Sequence, residues 1–229
     1  MQLYMCNNHP IVCLDGERYI VDTGSPCSFH YGGLRALEIG GQGFLLSAGS
    51  FCDKETADAL TGTDVAGFIG MEILQKAGLT IDLEHGTLDF ACVQDPDGST
   101  AYAELSFNLY EGAFIVTDDL YLRRRLRNVI VDTGARIPYI TSRLAGQLEQ
   151  TGEAYEDDSP LYGSLCGELL RGDLMFGAAD RDVVRSVQFG LMPELLDLSG
   201  MFDGIVGISA LTDKRLVFDF ERKVLRVKV

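Results

Sequence analysis

Val21-Asp22-Thr23-Gly24-Ser25 closes one apolar stretch, and Val131-Asp132-Thr133-Gly134-Ala135 closes another 110 residues later. An aspartate at the end of a buried strand is costly, because a carboxylate removed from water without partners loses its hydration. Two of them in matching places can answer each other. The surrounding chain repeats as well: residues 67–88 align without a gap on residues 204–225, with Gly67/Gly204, Gly70/Gly207, Leu74/Leu211, Leu79/Leu216, Asp82/Asp219, Glu84/Glu221 and Leu88/Leu225 identical. Such self-similarity marks a duplicated unit. Each half runs in the same order: apolar strand, Asp-Thr-Gly, a variable middle, an apolar-apolar-Gly element, a short helix and a closing strand pair.

The closing pair is legible from alternation. Residues 79–83 and 87–90 alternate around Glu84-His85-Gly86, and residues 216–220 and 224–229 do so around Glu221-Arg222-Lys223. Apolar positions three and four apart predict one short helix between Gly70 and Gly78 and another over residues 208–214. Leu14-Asp15-Gly16-Glu17 is a hairpin signal feeding the first Asp-Thr-Gly strand. The turn formers Gln94-Asp95-Pro96-Asp97-Gly98-Ser99 mark the junction. These signals give a first lobe over residues 1–95, a linker over 96–102 and a second lobe over 103–229. The second half is 27 residues longer between its Asp-Thr-Gly and its apolar-apolar-Gly element, so one lobe is elaborated.

A chain of 229 residues, 46% hydrophobic, can bury a sizeable core without metal or disulfide staples. Its formal charge of −15 repels phosphate backbones and anionic lipid, so neither nucleic acid nor a membrane surface is an expected partner. No basic-then-apolar leader opens the sequence, and six scattered cysteines without a CxxC pair read as reduced thiols. The expected location is cytoplasmic and the expected state monomeric, with no cofactor and no metal.

If the halves pack about a twofold axis, the Asp22 and Asp132 carboxylates meet. Like charges at hydrogen-bonding distance cannot both ionise, so the pair would hold one proton between them. The ionised group can then take a proton from water while its protonated partner polarises a carbonyl. Gly24 and Gly134 fit because amide N–H groups must come close to each carboxylate. Thr23 and Thr133 fit because their hydroxyls can bond across the axis to the opposite strand.

With its apolar strands ending in Asp-Thr-Gly and its downstream Phe68-Ile69-Gly70 and Ile205-Val206-Gly207, the sequence resembles the aspartic peptidases, both the bilobal pepsin-like enzymes and the retroviral-type ones. The resemblance covers most of both halves. It implies a mostly β, bilobal acid-protease fold of two pseudo-twofold closed barrels with one or two short helices each. It also implies an Asp22/Asp132 catalytic dyad braced by Thr23 and Thr133, and a peptide or protein substrate held extended between the lobes. The second half, with Tyr162-Gly163 in a glycine-flanked run, is similar to the flap region of pepsins, which makes Tyr162 and Gly163 flap candidates. Ile39-Gly40-Gly41-Gln42-Gly43 looks like the glycine-rich flap of retroviral proteases, which adds Gly41. One flap or two is left open. Ser25 follows the first triplet as in pepsins and Ala135 follows the second as in retroviral enzymes, so one hydroxyl that could steady the ionised carboxylate is absent. The expected consequence is a mildly acidic to near-neutral optimum. A peptide-binding protein without turnover and a selective processing enzyme are the rival functions.

Other constellations point to packing. His9, His30 and His85 are not spaced with carboxylates as metal ligands. Cys27 lacks an oxyanion element, and so reads as a packed thiol although His30 is three residues away. The basic run Arg123-Arg124-Arg125 with Arg127 reads as a solvated hairpin pairing with residues 153–158. Leu144 and Leu148 share a helical face and read as core.

Overall fold

The computed structural model describes residues 1–49, 51–93, 100–159, 163–177 and 183–228. Strands dominate, and the duplication is visible in their pairing. In the first half Glu17–Val21 runs parallel to Gly67–Ile69 with Ile20 opposite Phe68, and Phe29–His30 pairs antiparallel on the other side with Phe29 opposite Phe68. In the second half Val129–Asp132 runs parallel to Gly204–Gly207 with Ile130 opposite Ile205, and Tyr139–Ile140 pairs antiparallel with Tyr139 opposite Ile205. Each Asp-Thr-Gly strand is therefore wedged beside its own apolar-apolar-Gly strand at the same register.

These central strands are apolar on both faces because they are covered on both. Ile20, Val21, Ile69 and Val131 are all buried. The glycines are needed where backbones approach: a Cβ on Gly70 would stand 2.5 Å from the Cys27 carbonyl oxygen, and one on Gly207 would stand 2.5 Å from that of Ala135. The closing pairs of the two halves form one sheet. Arg215–Asp219 pairs antiparallel with Leu79–Asp82, placing Leu216 opposite Ile81, and Tyr102–Tyr110 extends the sheet beyond Val224–Lys228. A continuous core of buried Leu, Ile, Val and Phe side chains from both halves packs on it.

The helix expected after Gly70 is Met71–Ala77, which buries Met71, Ile73 and Leu74 and ends at Gly78. Its counterpart is one 3₁₀ turn, Ile208–Leu211. The hairpin at Asp15-Gly16 joins His9–Leu14 to Glu17–Val21, both turn residues having positive φ (50° and 82°) as the tight turn requires. Of the junction, residues 94–99 lie outside the described residues, and residue 102 already belongs to the strand Tyr102–Tyr110. Leu144 is buried and Leu148 packs against the same core.

The basic run does not pair as the sequence suggests. Arg125 bonds Asp119 at 3.1 Å, whereas Arg124 and Arg127 approach the fully buried Asp203 at 3.9 and 3.8 Å, and Arg143 pairs with it closely. Asp203 Oδ2 also accepts the Arg127 N–H at 3.0 Å. The reason is tertiary. Parallel pairing of the dyad strand with Gly204–Gly207 brings together the segments that lead into the two strands, so Arg127 reaches Asp203, 76 positions away in sequence. Asp203→Asn keeps the shape and loses the charge facing three guanidinium groups. We expect it to lower unfolding free energy by about 2 kcal/mol in urea titration, the scale of a charge-assisted bond network; a change within error would make this network dispensable.

Candidate active site

The two Asp-Thr-Gly turns meet at the floor of a cleft of about 250 Å³ lined by both halves. The threonines interlock. The Thr23 N–H donates to Thr133 Oγ1 at 3.0 Å and the Thr133 N–H to Thr23 Oγ1 at 3.0 Å. Thr23 Oγ1 donates to the Val131 carbonyl at 2.9 Å, and Thr133 Oγ1 donates to that of Val21 at 2.8 Å. Both threonines are fully buried, so these four bonds form away from water, where an unmade bond is expensive. They fix the separation of the two strand ends.

Each glycine leaves room for the opposite carboxylate. A Cβ on Gly24 would collide with the Asp132 carboxylate, and one on Gly134 would stand 2.5 Å from Asp22 Cγ. The carboxylates thus lie over each other's turns, close enough for each to act on the other's proton. Burial, and for Asp22 also the charge of Asp132, lifts the Asp22 carboxyl well above its ordinary range; burial lifts Asp132 as well. Backbone donors oppose the rise: Gly24 N–H at 2.7 Å from Asp22 Oδ1, with Gly134 N–H at 2.8 Å and Ala135 N–H at 3.1 Å from Asp132 Oδ1.

Ser25 does not serve the carboxylate as its sequence position suggests. Its Oγ donates to the Cys27 carbonyl at 2.8 Å, closing the turn after the triplet. The difference between Ser25 and Ala135 therefore leaves the hydroxyl supply to the dyad unchanged. Downstream, Ser28 Oγ accepts the Gly70 N–H at 2.7 Å, which ties this loop to the apolar-apolar-Gly strand.

One long hairpin, Glu149–Ser159 with Gly163–Phe176, reaches the cleft, and Asp157, Asp158, Ser159 and Leu165 line it. Tyr162 lies outside the described residues; Gly163, with φ 72°, opens the returning strand opposite Ser159. Gly41 is placed elsewhere. The hairpin Arg35–Ile39 with Gln42–Leu46 buries Leu37, Ile39 and Leu46, and its turn leans on Phe90, so close that a Cβ on Gly40 would stand 2.6 Å from the Phe90 carbonyl oxygen. Gly41 does not line the cleft. Glycine content alone could not separate a flap from a hairpin docked on the core; which faces of the hairpin are buried does.

Sequence reasoning missed several lining residues. Ile20, Phe51, Leu60 and Phe68 form an apolar wall in the first half, and Phe114, Pro193 and Ile205 form another in the second. His9, Arg136, Tyr139 and Asp157 line the cleft as well. Tyr139 donates its hydroxyl to Asp157, and Arg136 Nε lies 3.1 Å from Asp157 Oδ1. Burial and that acceptor drive the Tyr139 hydroxyl far above its ordinary value, so it stays protonated. The available signal was strand alternation, which puts Ile20 on the face of Asp22 and Ile130 on that of Asp132.

Contrary to the spacing argument, His85 does meet carboxylates: Asp82, Glu84 and His85 offer atoms within 4.8 Å of one another. The His85 N–H bonds Asp82 Oδ1 at 3.0 Å, and in the second half the Arg222 N–H bonds Asp219 Oδ1 at 2.9 Å. The same turn is thus built with arginine in the place of histidine. Its geometry is that of a capped turn, and Glu84 is already paired with Lys228 at 2.6 Å.

The architecture is the bilobal acid-protease fold. Solved structures match along the whole chain: basic 7S globulin from soybean (9% identity, TM-score 0.59, 100% of this chain and 94% of that one) and an aspartic proteinase from Irpex lacteus (13% identity, TM-score 0.53, 100% of this chain and 96% of that one). No family model matches the sequence, and no curated protein matches it. One of these neighbours is named a proteinase and the other a globulin, so the likeness carries the fold and leaves the chemistry to the site.

Proposed function

We propose that this protein is an aspartic endopeptidase in which Asp22 and Asp132 activate water against a peptide carbonyl. The observation that supports this reading is the juxtaposition of two carboxylates, Asp22 buried and Asp132 partly so, each seated over the other's glycine and braced by the threonine interlock. The ionised carboxylate takes a proton from the attacking water, and the protonated one gives its proton to the carbonyl oxygen, yielding a tetrahedral diol. Collapse of the diol breaks the C–N bond as the leaving nitrogen receives a proton from the carboxylate that took one from water, while the other carboxylate takes a proton back from a diol hydroxyl, which releases the carboxylic acid and restores the singly protonated pair. The apolar walls suit apolar side chains on either side of the scissile bond. We read the halves as compact, retropepsin-like lobes fused in one chain, which supplies both aspartates to a monomer working in the cytoplasm.

The second reading, peptide binding without turnover, draws on the globulin among the structural neighbours. Incubation with a diverse peptide library from pH 3 to pH 8 separates the two. Activity needs one proton on the pair, so the rate should be bell-shaped between its two macroscopic constants. With both carboxyls lifted by burial, that window should sit above the usual carboxylate range, peaking in mild acid to near neutrality. A peak confined to strong acid would contradict the electrostatics of the site, and binding without cleavage at every pH would leave the second reading.

A further inference from the structure

Continuing the register of Ile11 opposite Ile20 sets His9 opposite Asp22. Continuing that of Val116 opposite Ile130 sets Phe114 opposite Asp132. The pseudo-twofold therefore carries His9 onto Phe114, and by the same relation Arg136, four residues after Asp132, onto Pro26, four after Asp22. All four side chains line the cleft. His9 and Arg136 come from opposite halves, and the Asp157 carboxylate, 3.1 Å from Arg136 Nε, acts on His9 as well, so His9 and Arg136 share one side of the cleft and the twofold gives Phe114 and Pro26 the other. The backbone symmetry is kept while the chemistry of the two sides differs.

His9 is 5% exposed, and its Nδ1 is buried with no hydrogen-bond partner. Asp157, which also faces it, is already committed to Tyr139, Arg136 and the Asp158 N–H at 3.0 Å. Arg136 also borders a second groove, lined by Arg171, Arg185 and Asp213. Arg171 has no ion-pair partner within 4 Å among the described residues, and Arg185 pairs with the exposed Asp213 at 3.8 Å and donates to the Ala210 carbonyl at 3.3 Å. Three arginines thus line two adjoining openings in a chain with 34 acidic and 19 basic residues.

Resting on the endopeptidase reading, we propose that the cleft is polarised: its His9/Arg136 side selects a substrate side chain bearing a carboxylate, aspartate or glutamate, and its Phe114/Pro26 side selects an apolar one. Burial holds the imidazole below its ordinary range and so favours its neutral form; a carboxylate placed between His9 and Arg136 favours the protonated form and bonds to both. A neutral amide supplies no charge to hold that proton. Acidic residues further along the same strand of substrate would meet Arg171 and Arg185.

The test uses paired peptides that differ only by glutamate or glutamine at each position around an apolar core. Binding is read by fluorescence anisotropy on the Asp22→Asn protein, and cleavage is read on the wild type. We expect one position on one side to favour glutamate about tenfold or more, the scale of a charge-assisted bond. His9→Gln should reduce that preference several-fold while glutamine peptides bind as before. The surface pair Arg171→Gln with Arg185→Gln should remove the preference only at more distant positions, which guards against misfolding at His9. Cleavage with equal use of both peptides overturns the polarised cleft and leaves the endopeptidase reading standing. Preferential binding of the glutamate peptide without any cleavage does the reverse, and absence of both binding and cleavage overturns the two together.

Discussion

Asp22→Asn should abolish peptide cleavage, by about 10³-fold or more, and at the same time raise the unfolding temperature at pH 7 to 8. The two effects have one origin. Burial lifts both carboxyls, and contact with Asp132 lifts Asp22 further, above the values they have in the unfolded chain, so the folded state binds protons more tightly than the unfolded one. Stability from this source is greatest in acid and declines as pH rises from the unfolded carboxylate range through the folded one. Asparagine keeps the shape and the acceptor for Gly24 N–H but cannot ionise, so the variant is spared that decline. The gap between variant and wild type should open with pH to about 1 kcal/mol or more, each kcal/mol being worth roughly 2–4 °C in a chain of this size. Asp132→Asn should behave alike. Parallel melting-temperature curves for wild type and variant across pH 4–8 would mean that the carboxylates do not share a proton, and the proposed chemistry would go with them.

Thr133→Val carries the largest expected loss of stability. Valine matches threonine in shape, but it can neither accept the Thr23 N–H at 3.0 Å nor donate to the Val21 carbonyl at 2.8 Å. Both groups stay in a site without water, and each unsatisfied buried group costs about 1–3 kcal/mol, so the expected destabilisation is about 2–4 kcal/mol in denaturant titration. Thr133→Ser retains the hydroxyl and should lose under about 1.5 kcal/mol, mainly through the missing methyl. Because the interlock sets the spacing of the carboxylates, turnover of Thr133→Val should fall more than its affinity for peptide. A valine variant as stable as wild type would show that the halves are held together elsewhere, chiefly by the sheet that joins Leu79–Asp82 to Arg215–Asp219.

Solved structures named a globulin and a proteinase both match this chain's fold along its whole length. Here the interlock and the glycine seats repeat in both halves, while His9 and Phe114, or Pro26 and Arg136, differ at matching places. Residues that hold the strand ends together are constrained by geometry. Those that face the cleft are constrained only by what occupies it.

The sequence by itself determined the duplication, the two strand-ending aspartates, the paired apolar-apolar-Gly strands, the closing hairpins and the Asp15-Gly16 turn. Each rests on local physics, namely alternation, turn chemistry or identity between the halves, that needs no distant partner to be read. Only the tertiary structure decided that Gly41 sits against Phe90 and away from the cleft, that Ser25 Oγ turns to Cys27, that Arg124 and Arg127 gather on Asp203, and that His9 and Arg136 border the same opening. These outcomes depend on which strands lie side by side, and a hydroxyl, guanidinium or imidazole bonds whatever group that packing delivers, at separations no local pattern encodes.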